Sequence, residues 1–311
     1  MKIAVIGVGG VGGYFGGKLA SHAEQYPSEN TEVYFVARNE HLKAIKKNGL
    51  TVRTADEGEF VARPALATDC LAELPLLDVC LICVKGYDLP GVLHELKGRI
   101  QPDTKIIALL NGVDIYDRIR SVITDGITYP ACVYIGTHLE KPGMIVQNGG
   151  SRTILLGEDT GHPGIFPRAT LKLFAAAKIS FSWCENPFTE IWTKYIFIAA
   201  FGMVTASENK TFGQILADRE CSETVRAIMQ EIVEIAKMKG IDLPAGIVAD
   251  SMQKANNFPY ETKTSFQRDF EQSGKPDERE LFGDTIIRLG EAYRVATPTT
   301  QAVNEKLTRI K

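Results

Sequence analysis

Lys2-Ile3-Ala4-Val5-Ile6-Gly7-Val8-Gly9-Gly10-Val11-Gly12 is the stretch from which the fold can be read. A short apolar run passes into a GxGxxG element, and the spacing from there through Ala20 suits a helix. Strand, tight turn and helix in that order form a dinucleotide-binding unit. Gly7 permits the turn, Gly9 lets a pyrophosphate approach the backbone, and Gly12 lets the helix lie close to the strand. Gly7, Val8, Gly9, Gly10, Val11 and Gly12 are therefore the candidate phosphate-binding residues, because a helix N-terminus offers free N–H groups and the positive end of a dipole. A glycine turn without ligand and a flavin site are the other readings of the pattern.

Working outward, Glu32 to Ala37 fits a second parallel strand and Glu40 to Asn48 a helical segment. An NAD site usually places Asp or Glu at the end of the second strand, where this chain has Ala37-Arg38-Asn39. Arg38 suits a 2′-phosphate and points to NADP, the alternative being a solvated surface charge. Leu76 to Val84 and Lys105 to Leu110 predict strands buried on both faces, with a short helix from Leu89 to Arg99 between them. Ligands of open α/β sheets bind beyond the carboxyl ends of the strands. That places Lys85 and Asn111 at a cofactor crevice, although Lys85 could equally face solvent and Asn111-Gly112 is also an ordinary turn pair.

Ile127 to Ile135, Met144 to Gln147 and Arg152 to Leu156, separated by Pro142-Gly143 and Gly149-Gly150, predict further hairpin-like or mixed strands that extend the sheet. After a helix at Arg168 to Lys178 the texture becomes helical: Glu190 to Thr205, Arg219 to Lys239, Pro244 to Asn256, Glu278 to Tyr293 and Pro298 to Leu307. The expected class is α/β, with an NADP-binding Rossmann-type domain over residues 1–180 and an all-helical substrate domain over 181–311.

The composition agrees. In 311 residues, 44% are hydrophobic and 23% charged, enough to build cores and unlike a disordered chain. Lys and Arg number 35 against 38 Asp and Glu, a net −3 that argues against a nucleic-acid surface but leaves room for a local anion pocket. Six scattered cysteines and no export signal at the start lead to the expectation of a cytoplasmic protein. The most apolar stretch, Ile191 to Val204, contains Lys194 and is shorter than the roughly 20 residues that span a bilayer, so it is expected as a buried helix and not in a membrane. That helix buries itself either within the chain or against a second copy, in a homodimer.

Lys194 is the most conspicuous charge, because an ammonium among so many apolar neighbours needs solvent or a partner. A lysine beside a carbonyl that accepts hydride stabilises the developing oxyanion and then protonates it; a snorkelling surface lysine is the plain alternative. Asp277, Glu278 and Glu280 could orient that lysine or merely complement a helix dipole. Ser265 could hold a substrate carboxylate or cap a helix. Cys80 and Cys83 share a strand and read as packed thiols, and Trp183 and Trp192 as packing residues. The five histidines lack ligand spacing, so no metal is expected.

Together these pieces resemble the ketopantoate reductase (2-dehydropantoate 2-reductase) family over nearly the whole chain. They are the opening Lys2 to Gly12, Arg38, Val84-Lys85, Leu110-Asn111-Gly112, Pro142-Gly143, Trp192-Thr193-Lys194, Thr264-Ser265-Phe266 with Asp269, and Leu289-Gly290 before Thr297-Pro298-Thr299. The resemblance implies NADPH-dependent reduction of ketopantoate to pantoate, a step toward pantothenate. It makes Lys194 the catalytic lysine, Asn111 a contact to nicotinamide and substrate, Ser265 a substrate contact, and Arg38 and Lys85 cofactor-phosphate contacts. The family's active-site glutamate falls on Asp277, with Glu278 adjacent. Where members often carry asparagines this chain has Ile198, Gly202 and Thr262. That leaves open a different, more apolar 2-oxo or 2-hydroxy acid, or a non-catalytic NADP-binding protein.

Overall fold

The computed structural model describes residues 1–272, 274 and 276–310. Two compact units emerge: Met1–Leu110 with Asp114–Pro187, and Asn111–Val113 with the chain from Phe188 onward.

In the first unit the chain runs β1 (Lys2–Ile6), α1 (Gly10–Gln25), β2 (Glu32–Val36), α2 (Asn39–Asn48), β3 (Leu50–Thr54), β4 (Gly58–Ala62), β5 (Leu66–Thr68), β6 (Val79–Ile82), α3 (Leu89–Leu96), β7 (Lys105–Ala108), α4 (Ile115–Val122) and β8 (Ile127–Tyr129). It continues through β9 (Ala131–Tyr134), β10 (Thr137–Lys141), β11 (Met144–Gln147), β12 (Thr153–Gly157), α5 (Arg168–Ala176) and β13 (Ser180–Cys184). The principal sheet has the order β5-β2-β1-β6-β7-β8 and every pairing in it is parallel. Ile3 stands opposite Val33 on one side and Val79 on the other, and Ile3, Val5, Phe35, Leu81 and Ile107 are fully buried, as strands covered on both faces require.

The strands after Gly126 do not all extend this sheet, contrary to the sequence expectation. Only β8 joins it; Pro130, which has no N–H to donate, separates β8 from β9, and β9 belongs to a second sheet of order β13-β12-β9. The hairpin β10–β11 joins the β3–β4 hairpin, which the sequence reading missed, in a third sheet of order β10-β11-β3-β4. Helix α1 is gripped from both sides. A Cβ at Gly16 would stand 3.0 Å from Phe35 and Val5 of the principal sheet, whereas at Gly13 and Gly17 it would press on Ile145 and Val52 of the third. The unit continues to Pro187 because β13 pairs along its whole length with β12. Asp159 is wholly buried and accepts from Tyr116 Oη, from the amides of Thr128 (2.9 Å) and Gly161 (3.0 Å), and bonds His162 Nδ1 (2.8 Å). Burial alone would raise its pKa, but these bonds win and hold it below the ordinary carboxyl value.

The second unit is built of α6 (Pro187–Glu208), α7 (Phe212–Ala217), α8 (Arg219–Lys239), α9 (Ile247–Ala255), α10 (Ser265–Phe270), α11 (Thr285–Tyr293) and α12 (Pro298–Ile310). Local chemistry sets their ends. Thr211 and Gln214 form a capping box on α7, Asp218 caps α8 through the Cys221 amide, and Gly240 closes α8 in the left-handed conformation. The Glu231 carboxylate receives the Thr299 and Thr300 amides at 2.7 and 3.0 Å and so seats the N-terminus of α12. The helix expected from Glu278 begins instead with a π-helical turn, Glu280–Asp284. There a Cβ on Gly283 would meet Asn304 at 2.2 Å, so the close approach of α12 is available to glycine. Trp192, Tyr195, Phe201 and Met203 bury α6, and among the described residues no helix is long and apolar enough to cross a membrane.

Candidate active site

The first unit brings the glycine turn and the end of β2 together. The Gly7 and Val8 amides both donate to the Val36 carbonyl, at 3.0 and 3.2 Å. Gly7 sits at φ +90° with Val84 2.8 Å from where a Cβ would be, and a Cβ on Gly12 would stand 2.1 Å from the Gly7 carbonyl oxygen. Both positions demand glycine. Gly9 differs: it is exposed, at φ −80°, with no atom within 4 Å of an added Cβ. It is also the N-cap of α1, where no side chain caps the helix and no acid occupies the first turn. A helix start left uncapped beside open space is suited to an anion. Val8 is buried, while Gly10 and Val11 are half-buried.

Arg38, the N-cap of α2, is mostly exposed and pairs with Asp88, in the 3₁₀ turn Gly86–Asp88 beyond β6. The sequence reading missed Asp88. It lies three residues after Lys85, beyond a strand end, and that position is the signal it carries. Lys85 is half-buried and precedes the same turn. Cys83 lies just past β6, not within it as expected, and burial raises its thiol to about 12 and that of Cys80 higher still, so neither supplies a thiolate. All six cysteines are free thiols. Trp183 packs edge-on against Phe166 and Tyr129.

In the second unit, Lys194 and Asn111 meet although 83 residues separate them: Lys194 Nζ donates to Asn111 Oδ1 at 2.8 Å, and both residues are half-buried. Asn111 follows β7 by three residues, yet belongs to the helical unit. The amide therefore has a tertiary partner, which a plain turn would not need.

Ser265 is exposed and opens α10, but Thr264 is the cap, accepting from the Gln267 amide at 3.1 Å. The capping alternative for Ser265 is thereby removed. Thr264 Oγ1 also bonds Thr205 Oγ1 of α6 at 2.8 Å, and Phe266 packs on Gly202, where an added Cβ would stand 3.4 Å away. Positions 194, 198 and 202 form one stripe of α6, rising about 6 Å per step. Along it run a half-buried amine, the half-buried Ile198 and the buried Gly202 under Phe266. Thr262 gives its carbonyl to the Phe212 amide at 2.9 Å.

Of the candidate acids, Asp277 is half-buried with its carboxylate nearly covered, and it accepts from the Arg279 amide (3.1 Å) and Nε (3.0 Å). Glu278 is buried and Glu280, exposed, opens the π-helical turn. Among the described residues no group of three or more His, Cys, Asp or Glu is arranged to hold a metal ion.

Comparison with known proteins supplies the wider setting. The family model for ketopantoate reductase PanE/ApbA matches residues 3–161, and the model for its C-terminal domain matches residues 187–311. An uncharacterized oxidoreductase of Bacillus subtilis strain 168, YkpB, is 27% identical over 307 residues, covering 99% of this chain and 98% of that protein. The crystal structure of 2-dehydropantoate 2-reductase from Methylococcus capsulatus is 31% identical with a TM-score of 0.83, covering 100% of this chain and 96% of that one. At 21% identity, the ternary structure of D-mandelate dehydrogenase with NADH and anilino(oxo)acetate shares the fold, with a TM-score of 0.84 over 99% of this chain and 98% of that one.

Proposed function

Since the chain belongs to the ketopantoate reductase (PanE/ApbA) family, we propose that it is a 2-dehydropantoate 2-reductase, reducing ketopantoate to pantoate with NADPH on the route to pantothenate. At the coarser level it is an oxidoreductase with an NAD(P)(H)-type dinucleotide-binding domain. The observation that carries the proposal is the hydrogen bond from Lys194 to Asn111, which fixes an ammonium on α6 by an amide that follows a strand of the dinucleotide-binding sheet.

The glycine turn fits a dinucleotide, with an uncapped helix start at Gly9 facing open space. Arg38 would take the 2′-phosphate in exchange for Asp88, and Lys85 a phosphate or ribose oxygen. When bound, the nicotinamide supplies the hydride that adds to C2 of the 2-oxo acid. Lys194 holds its ammonium against the C2 oxygen, stabilises the charge that develops there and transfers one proton to it, giving the 2-hydroxy acid. Asn111 aims the amine, Ser265 holds the substrate carboxylate, and Asp277 or Glu278 sets the local charge.

Ile198 and Gly202 favour a second reading, a 2-oxo acid with an apolar side chain. The stripe that starts at Lys194 offers a hydrocarbon surface and a phenyl ring, with no side-chain donor at either position to meet the hydroxyl of ketopantoate. Turnover of ketopantoate against branched aliphatic and aromatic 2-oxo acids, followed by NADPH oxidation, decides between the two. Lys194→Ala should lower kcat by about 10²–10⁴ with whichever acid is used. Unchanged turnover in that variant would remove the lysine from the chemistry.

A further inference from the structure

We propose that His41 is a positioning residue for the nucleotide, clamping the glycine-rich turn to the β10–β11 turn so that the Gly9 N–H is aimed at the incoming pyrophosphate. The proposal rests on the dinucleotide reading of that turn. His41, in the first turn of α2, contacts the Val8 carbonyl oxygen through Nε2 at 2.7 Å and the Gly143 amide nitrogen through Nδ1 at 2.9 Å. A carbonyl only accepts and an amide N–H only donates, so Nε2 carries the proton and Nδ1 must be bare. One neutral tautomer satisfies both bonds.

The geometry has a direct effect on the turn. A peptide group is planar, with its C=O and N–H pointing in opposite directions. Fixing the Val8 carbonyl on His41 therefore points the N–H of the same peptide, that of Gly9, the other way, from the N-cap of α1. The Val8 amide is already held by Val36, so the residue is pinned at both ends. The other jaw of the clamp is equally fixed. Gly143 sits at φ +79° with Ala44 of α2 2.9 Å from where its Cβ would be, and its carbonyl accepts from the Thr51 amide at 2.9 Å. The same hairpin reaches the start of α1, where a Cβ on Gly10 would stand 2.8 Å from Thr137 Oγ1.

Protonation would turn Nδ1 into a donor facing a donor and open the Gly143 side of the clamp. Burial disfavours the imidazolium and outweighs the Val8 carbonyl, keeping the His41 pKa below the ordinary histidine value. The clamp is therefore intact at neutral pH and fails as pH falls through that lowered value. The charged groups in the packed elements are Arg38, paired with Asp88, Glu40, paired with Lys43, and the exposed Lys46 and Lys47 in the last turn of α2, with Glu140, paired with His138, and Lys141 in the hairpin. The glycine turn contributes none.

The test is calorimetric titration of NADP⁺ into wild type, His41→Ala and His41→Gln from about pH 8 to about pH 5, with NMR titration of the His41 imidazole in ligand-free wild type. At about pH 8 the alanine variant should bind about tenfold more weakly and the glutamine variant, which keeps a donor and an acceptor, within about threefold of wild type. Wild type should lose affinity in acid beyond the loss seen in the glutamine variant, which retains His138 and faces the same titrating 2′-phosphate. Equal affinity of folded His41→Ala and wild type overturns the proposal. So does an identical pH slope in wild type and His41→Gln, or an Nδ1–H tautomer in the NMR spectrum, whether or not the alanine variant folds. Wild type that binds neither NADP⁺ nor NAD⁺ would instead defeat the dinucleotide reading.

Discussion

Replacing Asn111 by alanine removes the oxygen that receives Lys194 Nζ at 2.8 Å and leaves the backbone after β7 untouched. A hydrogen bond to a charged group contributes about 1.5–3 kcal/mol net, and each 1.36 kcal/mol of activation free energy is a factor of about ten. If the bond survives into the transition state, kcat/KM should fall by about 10- to 150-fold, mainly in kcat, because a freed amine still attracts a carboxylate but is not held at the C2 oxygen. Asn111→Asp is the informative companion. The carboxylate holds the ammonium in place but makes it a weaker acid, so kcat should stay below wild type while thermal stability is unchanged. The assay is steady-state NADPH oxidation with the best 2-oxo acid, alongside thermal melts. A folded Asn111→Ala enzyme within about twofold of wild-type kcat/KM would refute the assignment, because the bond would then be a packing detail.

The glycine turn separates binding from stability. Gly9→Ala meets no atom within 4 Å and should melt like wild type while NADP⁺ affinity drops, whereas Gly12→Ala drives a Cβ to 2.1 Å from the Gly7 oxygen and should lower the melting temperature as well. Arg38→Ala should weaken NADPH binding more than NADH, and Asp88→Asn, by releasing Arg38, should tighten NADPH with little change in NADH; fluorescence titration reads both. Asp159→Asn should cost about 1–3 kcal/mol in urea unfolding at neutral pH, since the buried carboxylate loses its charge-assisted bonds. The Asp159 pKa is lowered on folding, so its stabilisation is present above the ordinary value of 3.8 and is lost as pH falls through the folded one; the gap between variant and wild type should close in that acid range.

Much of this was legible in the sequence because it is local. The strand, glycine turn and helix at the start, the parallel strands rich in Ile and Val, and helix α8, whose span Arg219–Lys239 matches the sequence reading, all follow from short-range pattern and caps. The third sheet was not, since β3 and β11 pair across some ninety residues and each alone is a run of only four or five residues. The run after Gly126 looked continuous because proline hides in a hydropathy pattern, yet Pro130 sends its two halves to different sheets. At the site, residue type singled out Lys194 as an amine in need of a partner. That the partner is Asn111, that Asp88 holds Arg38, and that His41 bridges two turns are tertiary facts with no periodic trace in the chain.

The three residues Asn111–Val113 leave the sheet-bearing unit and return to it at Asp114. No single cut in the polypeptide therefore yields two self-sufficient halves. A fragment starting at Phe188 keeps the long helices of the second unit but loses the amide that bonds Lys194, and a fragment ending at Pro187 carries that amide without its lysine partner. Chimeras that exchange helical halves to alter substrate preference would have to transplant this tripeptide along with them.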